Sequence, residues 1–276
     1  MRRFEYFEPK SLAEASKLLA AGGQVLAGGT DLLVEIKEQL RRADRVVNIK
    51  KIPGIGGLSF DPRTGLRIGA LASAREVETA PFVLQHYASL AQAARELGSI
   101  QVRNRATIVG NICRASPSAD TLPPLIADGA IIKLHGPRGA REIPLEEFFT
   151  GPGKTVLQPD ELVTELVVPA PPPRTGKVYI KHGRRKAMEL ATVGVAVTWT
   201  RDADVRIVLG AVAPTPIRAR AAEEVLKKDP RALDQAAAAA MAEARPISNV
   251  RASAEYRREM VRVLTRRALE QALACS

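Results

Sequence analysis

The run Pro169-Ala170-Pro171-Pro172-Pro173 limits the fold more than any other stretch of this chain. Proline fixes φ and lacks a backbone N–H, so such a run enters neither a helix interior nor a central strand. It predicts a stiff, extended connector and a domain boundary. Beyond it come three strand-like runs, 177–181, 192–200 and 205–209, and then three helical stretches, 219–228, 230–244 and 254–274. Strands grouped before helices predict an α+β C-terminal domain over 175–276. In the last helix Met260, Val261, Leu264 and Ala268 make the buried stripe, and its arginines face solvent or a partner.

Ahead of the connector the chain reads as two lobes. Ser11-Leu12-Ala13-Glu14 is a capping box, and Leu12, Ala15, Leu18 and Leu19 share one helical face. Gly22-Gly23 ends that helix, and a strand at 25–27, a helix over 32–40 and a strand over 45–49 follow. This βαβ-like opening makes a first lobe, 1–53. The glycines of 54–57 mark a hinge to a second lobe, 54–170. There a strand at 66–69 leads to a second capping box, Ser73 to Glu76, and a helix over 87–97 packs through Leu90, Ala94 and Leu97. Strands over 130–134, 141–143 and 161–168 close this lobe.

Composition narrows the function. Aromatic residues are only 4%, which argues against a stacking platform for single-stranded nucleic acid. The net charge of +11 suits nucleic acid, an anionic cofactor or an acidic partner. With no long Lys/Arg run, an acidic protein partner ranks above nucleic acid. Cys113 and Cys275 cannot hold an iron–sulfur cluster through four thiolates, and they are expected to be free. The start lacks a signal-peptide core and no apolar run is long enough to span a membrane, so a cytoplasmic protein is expected. His86, His135 and His182 share no ligand spacing, and no nucleophile elbow occurs. Glu146-Glu147 and Glu223-Glu224 read as solvated faces rather than acid/base pairs. A chain without a substrate-transforming constellation fits a protein whose chemistry is carried by a cofactor.

Two glycine-bearing stretches are candidates for holding one. The first runs from Val25, Leu26 and Ala27 through Gly28-Gly29-Thr30-Asp31 into Leu32. Its glycines permit positive φ and close approach of a ligand to the backbone. It is neither G-x-G-x-x-G nor a Walker loop. The second runs Thr107-Ile108-Val109-Gly110-Asn111 and on through Ala115-Ser116-Pro117 to Asp120. Successive amides in such a run can face a pyrophosphate, and Asp120 offers a carboxylate of the kind that accepts from ribose hydroxyls. Taken alone, the second is a weak signal, since clusters of Gly, Asn and Ser are more often plain turns.

Together the two stretches resemble the FAD-binding medium subunit of the molybdenum hydroxylases, the family of xanthine dehydrogenase and aerobic carbon monoxide dehydrogenase. The likeness extends over nearly the whole chain. It takes in Tyr179-Ile180-Lys181 with Ala187-Met188-Glu189-Leu190-Ala191, then Gly210-Ala211-Val212-Ala213-Pro214-Thr215-Pro216, and Arg251-Ala252-Ser253-Ala254-Glu255-Tyr256-Arg257. There are two departures: Val109 stands where the family has the first of two glycines, and Arg114 where Asn is common.

The resemblance implies an α+β fold: a two-lobed FAD-binding domain of the PCMH type, then a C-terminal domain with a three-stranded antiparallel sheet and helices. It implies an oxidoreductase subunit with no catalytic side chain and no metal of its own. FAD would lie between the lobes, its diphosphate facing the backbone N–H groups of Gly28, Gly29 and Thr30 on one side and Thr107 to Asn111 on the other. Thr107 and Asn111 would add side-chain hydrogen bonds, and Asp120 would bind a ribose or nearby hydroxyl. Leu32 and Leu97 would pack on the isoalloxazine, Val163 would offer a backbone contact, and Lys181 would sit near the electron-rich ring edge. The implied partners are a large molybdopterin-binding subunit and a small subunit with two [2Fe–2S] clusters, as a dimer of heterotrimers (a heterohexamer). Electrons would pass from those clusters through FAD to an external acceptor, and the absence of the acidic motif of NAD-using relatives tilts away from NAD. The extra cluster of the 4-hydroxybenzoyl-CoA reductases is excluded by the missing cysteines.

Three other readings compete. A self-sufficient FAD oxidase of the vanillyl-alcohol-oxidase superfamily predicts acid/base residues in the C-terminal domain. A basic nucleic-acid-binding module predicts a colourless protein with salt-sensitive DNA binding. An assembly protein that has lost FAD, with Val109 as its mark, predicts no reconstitution.

Overall fold

The computed structural model of the chain describes residues 3–201 and 203–276, so the first two residues of the expected first lobe lie outside the described residues. The first lobe runs β1 (Glu5–Phe7), α1 (Leu12–Ala20), β2 (Gln24–Leu26), α2 (Leu32–Lys37) and β3 (Arg45–Asn48). Its strands form a parallel sheet in the order β1-β3-β2. The three-residue β1 has no alternation to betray it; Glu5 lies opposite Arg45 and pairs with it at 2.9 Å. Ser11 caps α1 by accepting from the Glu14 N–H at 3.2 Å. The Glu14 carboxylate, however, accepts from the Lys10 N–H at 2.8 Å, so the reciprocal bond falls one residue before the cap. Helix α2 ends at Lys37, short of the expected residue 40, because Gln39 turns into the left-handed region (φ 59) and Leu40 points to solvent.

The second lobe begins with β4 (Leu58–Asp61) and β5 (Gly65–Gly69), followed by α3 (Ala74–Thr79), α4 (Pro81–His86), α5 (Ala88–Arg95), α6 (Ile100–Arg103), α7 (Ile108–Arg114) and α8 (Leu122–Ala127). Then come β6 (Ile131–Gly136), β7 (Gly139–Pro144), the short pair β8 (Phe149–Gly151) and β9 (Lys154–Thr155), and β10 (Leu162–Val168). Five of these strands make an antiparallel sheet in the order β4-β5-β10-β6-β7. The capping box at Ser73 forms in full, with Glu76 accepting from the Ser73 N–H at 2.7 Å. The stretch 108–114, expected as a phosphate turn, is instead a helix whose N-cap is Thr107.

The last unit carries β11 (Thr175–His182), β12 (Val193–Thr200), β13 (Asp204–Gly210), β14 (Ile217–Arg218), α9 (Arg220–Lys228), α10 (Leu233–Glu243) and α11 (Ala254–Cys275). Its antiparallel sheet has four strands in chain order, not three, because the two-residue β14 pairs with the end of β13. Along β12, Val193, Val195, Val197 and Trp199 join the helices of this unit in one core. Ala196, with Tyr179 and Val208, joins the core of the second lobe. The sheet is therefore covered on both faces, which is why β12 is nearly uniformly apolar rather than alternating. The proline segment is tethered as well: the Tyr87 hydroxyl donates to the Pro169 carbonyl at 2.9 Å.

Candidate functional site

A cavity of about 710 Å³ opens between the two lobes, with the loop after β11 at its edge. Its size lies in the upper half of the range of about 300–1,000 Å³ that ligand sites occupy. On the first-lobe side the wall is the segment joining β2 to α2. Gly28 packs so closely on the second lobe that a Cβ there would sit 2.0 Å from the Arg105 carbonyl oxygen. Gly29 follows with φ +79, a left-handed conformation that glycine adopts without strain. These two turns leave the N–H groups of Gly28, Gly29, Thr30 and Asp31 with no acceptor among the described residues. Asp31 precedes α2 but its side chain makes no capping bond, so the carboxylate too is uncommitted.

On the facing side the start of α7 is more committed than its sequence suggested. The Ile108 N–H donates to Ala72 O at 3.2 Å, the Gly110 N–H to Thr107 Oγ1 at 3.0 Å, and the Asn111 N–H to Thr107 O at 3.0 Å. That leaves the Val109 N–H as the open amide of the segment. Val109 itself is buried in the main core, so its side chain turns away while its amide stays free. Asn111 accepts from the Thr121 hydroxyl through Oδ1 at 2.7 Å, which orients its NH₂ as the group left to donate.

Asp120 is a buried carboxylate of the wall, 7% exposed. Tyr179 donates to its Oδ1 at 2.7 Å and Lys181 to its Oδ2 at 2.9 Å. Burial pushes its carboxyl up to about 6, against the opposing pull of the Lys181 charge and hydrogen bond and the Tyr179 hydrogen bond. Lys181 is not among the residues lining the cavity itself; its ammonium meets the lining residue Asp120 and also donates to Glu96 O at 3.1 Å.

Of the expected residues, Val25, Ala27 to Leu32, Leu97, Thr107, Val109 to Asn111, Asp120 and Val163 are brought together around the cavity. Leu26 and Ile108 are not; each turns into a hydrophobic core. Val163 lies where β10 breaks register with β6, between Val163 and Glu165. Sequence reasoning missed Met188 and Leu190, exposed apolar side chains at the cavity rim. It also missed an ionic link between the lobes, in which Glu35 meets Arg114 at 3.0 Å and Arg41 at 2.8 Å. A basic residue at the end of α7 was the available signal. No group of three or more potential metal ligands occurs among the described residues.

Cys113 also lines the cavity, and burial pushes its thiol up to about 12, while Cys275 is exposed. At pH 8 a pKa near 12 leaves roughly one thiol in ten thousand ionised, and only the thiolate is nucleophilic. A disulfide reagent is therefore expected to titrate one thiol quickly and the other at least about 100-fold more slowly. The fast phase should vanish in Cys275→Ser.

Residues 2–171 match the family described as the FAD binding domain in molybdopterin dehydrogenase, and residues 178–272 match the CO dehydrogenase flavoprotein C-terminal domain. The chain is 32% identical, over 98% of its length and 96% of the relative's, to a putative xanthine dehydrogenase FAD-binding subunit of Escherichia coli. It is 35% identical to the carbon monoxide dehydrogenase medium chain of Hydrogenophaga pseudoflava, covering 99% of this chain and 98% of that one. The solved structure of carbon monoxide dehydrogenase from that organism, in a form lacking the Mo-pyranopterin moiety, superposes with a TM-score of 0.93 at 36% identity, covering 100% of this chain and 99% of that one.

Proposed function

Because this chain belongs to the FAD-binding subunits of the molybdenum hydroxylase family, we propose that the cleft between its lobes clasps the FAD diphosphate with the open amides of residues 28–31 and of Val109. It is the FAD-binding, electron-transferring subunit of an oxidoreductase whose other chains are a large and a small subunit. When bound, FAD supplies a two-electron carrier between one-electron iron–sulfur clusters and an external acceptor. The observation that carries the assignment of residues is the set of unpaired N–H groups in a ligand-sized cavity. Amides without internal acceptors at the wall of a cleft are donors prepared for an anion.

The remaining wall residues divide the work. The Asn111 amide, its oxygen engaged by Thr121, would donate to the bound cofactor. The Asp120 carboxylate, with two of its four acceptor positions filled from behind, accepts from a cofactor hydroxyl. Leu32, Leu97, Leu162 and Leu190 provide apolar surface for a planar ring and keep water from it. No described helix is long and apolar enough to cross a membrane. We assign the assembly as a dimer of heterotrimers, which sedimentation of the native complex would test.

The FAD assignment is tested by titrating the isolated, flavin-free chain with FAD and following quenching of flavin fluorescence. One FAD per chain and a yellow protein after gel filtration are expected. A chain that stays colourless at saturating FAD would overturn the assignment.

A further inference from the structure

Asp120 lies in the second lobe, yet the groups that hold its carboxylate come from the other side of the proline segment. Tyr179 and Lys181 are alternate residues of β11 whose side chains share the face turned toward the second lobe. The Tyr179 hydroxyl donates to Oδ1 at 2.7 Å, and the Lys181 ammonium donates to Oδ2 at 2.9 Å. Tyr179 is 3% exposed and Asp120 7%, so neither exchanges this contact for water. Gly194, opposite Lys181 on β12, makes room for the phenol: a Cβ there would lie 2.9 Å from the Tyr179 hydroxyl.

We propose that Tyr179 is a positioning residue of the cofactor cleft: from the C-terminal sheet it orients the Asp120 carboxylate and holds it as a hydrogen-bond acceptor for a cofactor hydroxyl. The proposal rests on the FAD assignment above. It makes the last unit part of the cofactor site through a side chain that does not itself line the cleft. The groups facing Asp120 are Tyr179 and Lys181 from β11 and Glu96 from the end of α5. Burial and the Glu96 charge favour the neutral acid, whereas Lys181 and Tyr179 favour the carboxylate. With its carboxyl near 6, Asp120 ionises as pH rises through that value, so affinity for a donating hydroxyl increases over the same range. Without the phenol's donated bond, ionisation moves to higher pH.

The test measures FAD affinity of the full chain by fluorescence quenching from pH 5 to 8. Wild-type affinity is expected to rise with pH around 6, and Asp120→Asn to flatten the profile. Tyr179→Phe is expected to move the midpoint upward by about half a unit or more and to weaken binding about fivefold at pH 7. In the Asp120→Asn background it should change affinity by less than about twofold, because the two groups act through one contact. If Tyr179→Phe does not fold, Gly194→Ala displaces the hydroxyl while keeping the phenol and should give the same upward movement. A lowered melting temperature with an unmoved pH midpoint would reduce Tyr179 to a packing residue and overturn the proposal, as would a flat wild-type profile. Both outcomes leave FAD bound by the wild type, whereas failure of the FAD assignment leaves none bound at any pH.

Discussion

Replacing Lys177 with methionine is expected to lower the stability of the chain by about 3–5 kcal/mol, because it strands a buried carboxylate without its cation. Lys177 Nζ lies 2.6 Å from Asp128 Oδ1, with side-chain exposures of 6% and 1%. The same oxygen accepts from the Thr198 hydroxyl at 2.8 Å, and Oδ2 has no partner. The ammonium also sits 4.5 Å above the centre of the Tyr87 ring, a cation–π contact that a thioether would lose. Lys177 is on β11 and Asp128 follows α8, so the pair joins the last unit to the second lobe. Urea unfolding should show the midpoint fall with little change in slope. The double variant Lys177→Met with Asp128→Leu should recover most of the loss, since an apolar pair leaves no charge uncompensated. If the single variant unfolds like wild type, the pair is not what holds the units together.

Gly28→Ala is expected to weaken FAD binding at least about 100-fold, roughly 2.8 kcal/mol at 1.4 kcal/mol per factor of ten. The added methyl would meet the carbonyl of Arg105, and backbone cannot rotate away as a side chain can. Relief requires the first-lobe loop to withdraw from the second lobe, which carries the open amides of 28–31 off the facing Val109 amide. Gly22→Ala is the control. Gly22 has positive φ (+87), unlike Gly28, and nothing lies within 4 Å of where its methyl would stand, so the change should cost about 1 kcal/mol of strain and leave FAD affinity unchanged. Fluorescence titration of both variants separates the contact at the cleft from backbone strain alone.

Much of this site was legible because its chemistry is local. Gly28-Gly29 announces a close approach, and Thr107 placed before Ile108 meets the preference for a hydroxyl at a helix N-cap. The helix that follows was read as a turn because it is seven residues long and carries a glycine, too short for periodicity to register. The strands that escaped, β1, β4, β8, β9 and β14, have two to four residues each, too few for alternation to register. Lys181 shows what spacing does not carry: its hydrogen-bond partner Asp120 lies sixty-one residues away in sequence.

The sequence by itself determined the order of the longer helices and strands, the two glycine-bearing segments and the family, since each depends on neighbours along the chain. Only the tertiary structure decided which amides remain open, that β11 reaches across to Asp120, and that Met188, Glu35 and Arg114 border the cavity. The reason is physical: an N–H is free, or a carboxylate oriented, only relative to partners that folding brings within about 3 Å, and that distance is not written in residue spacing.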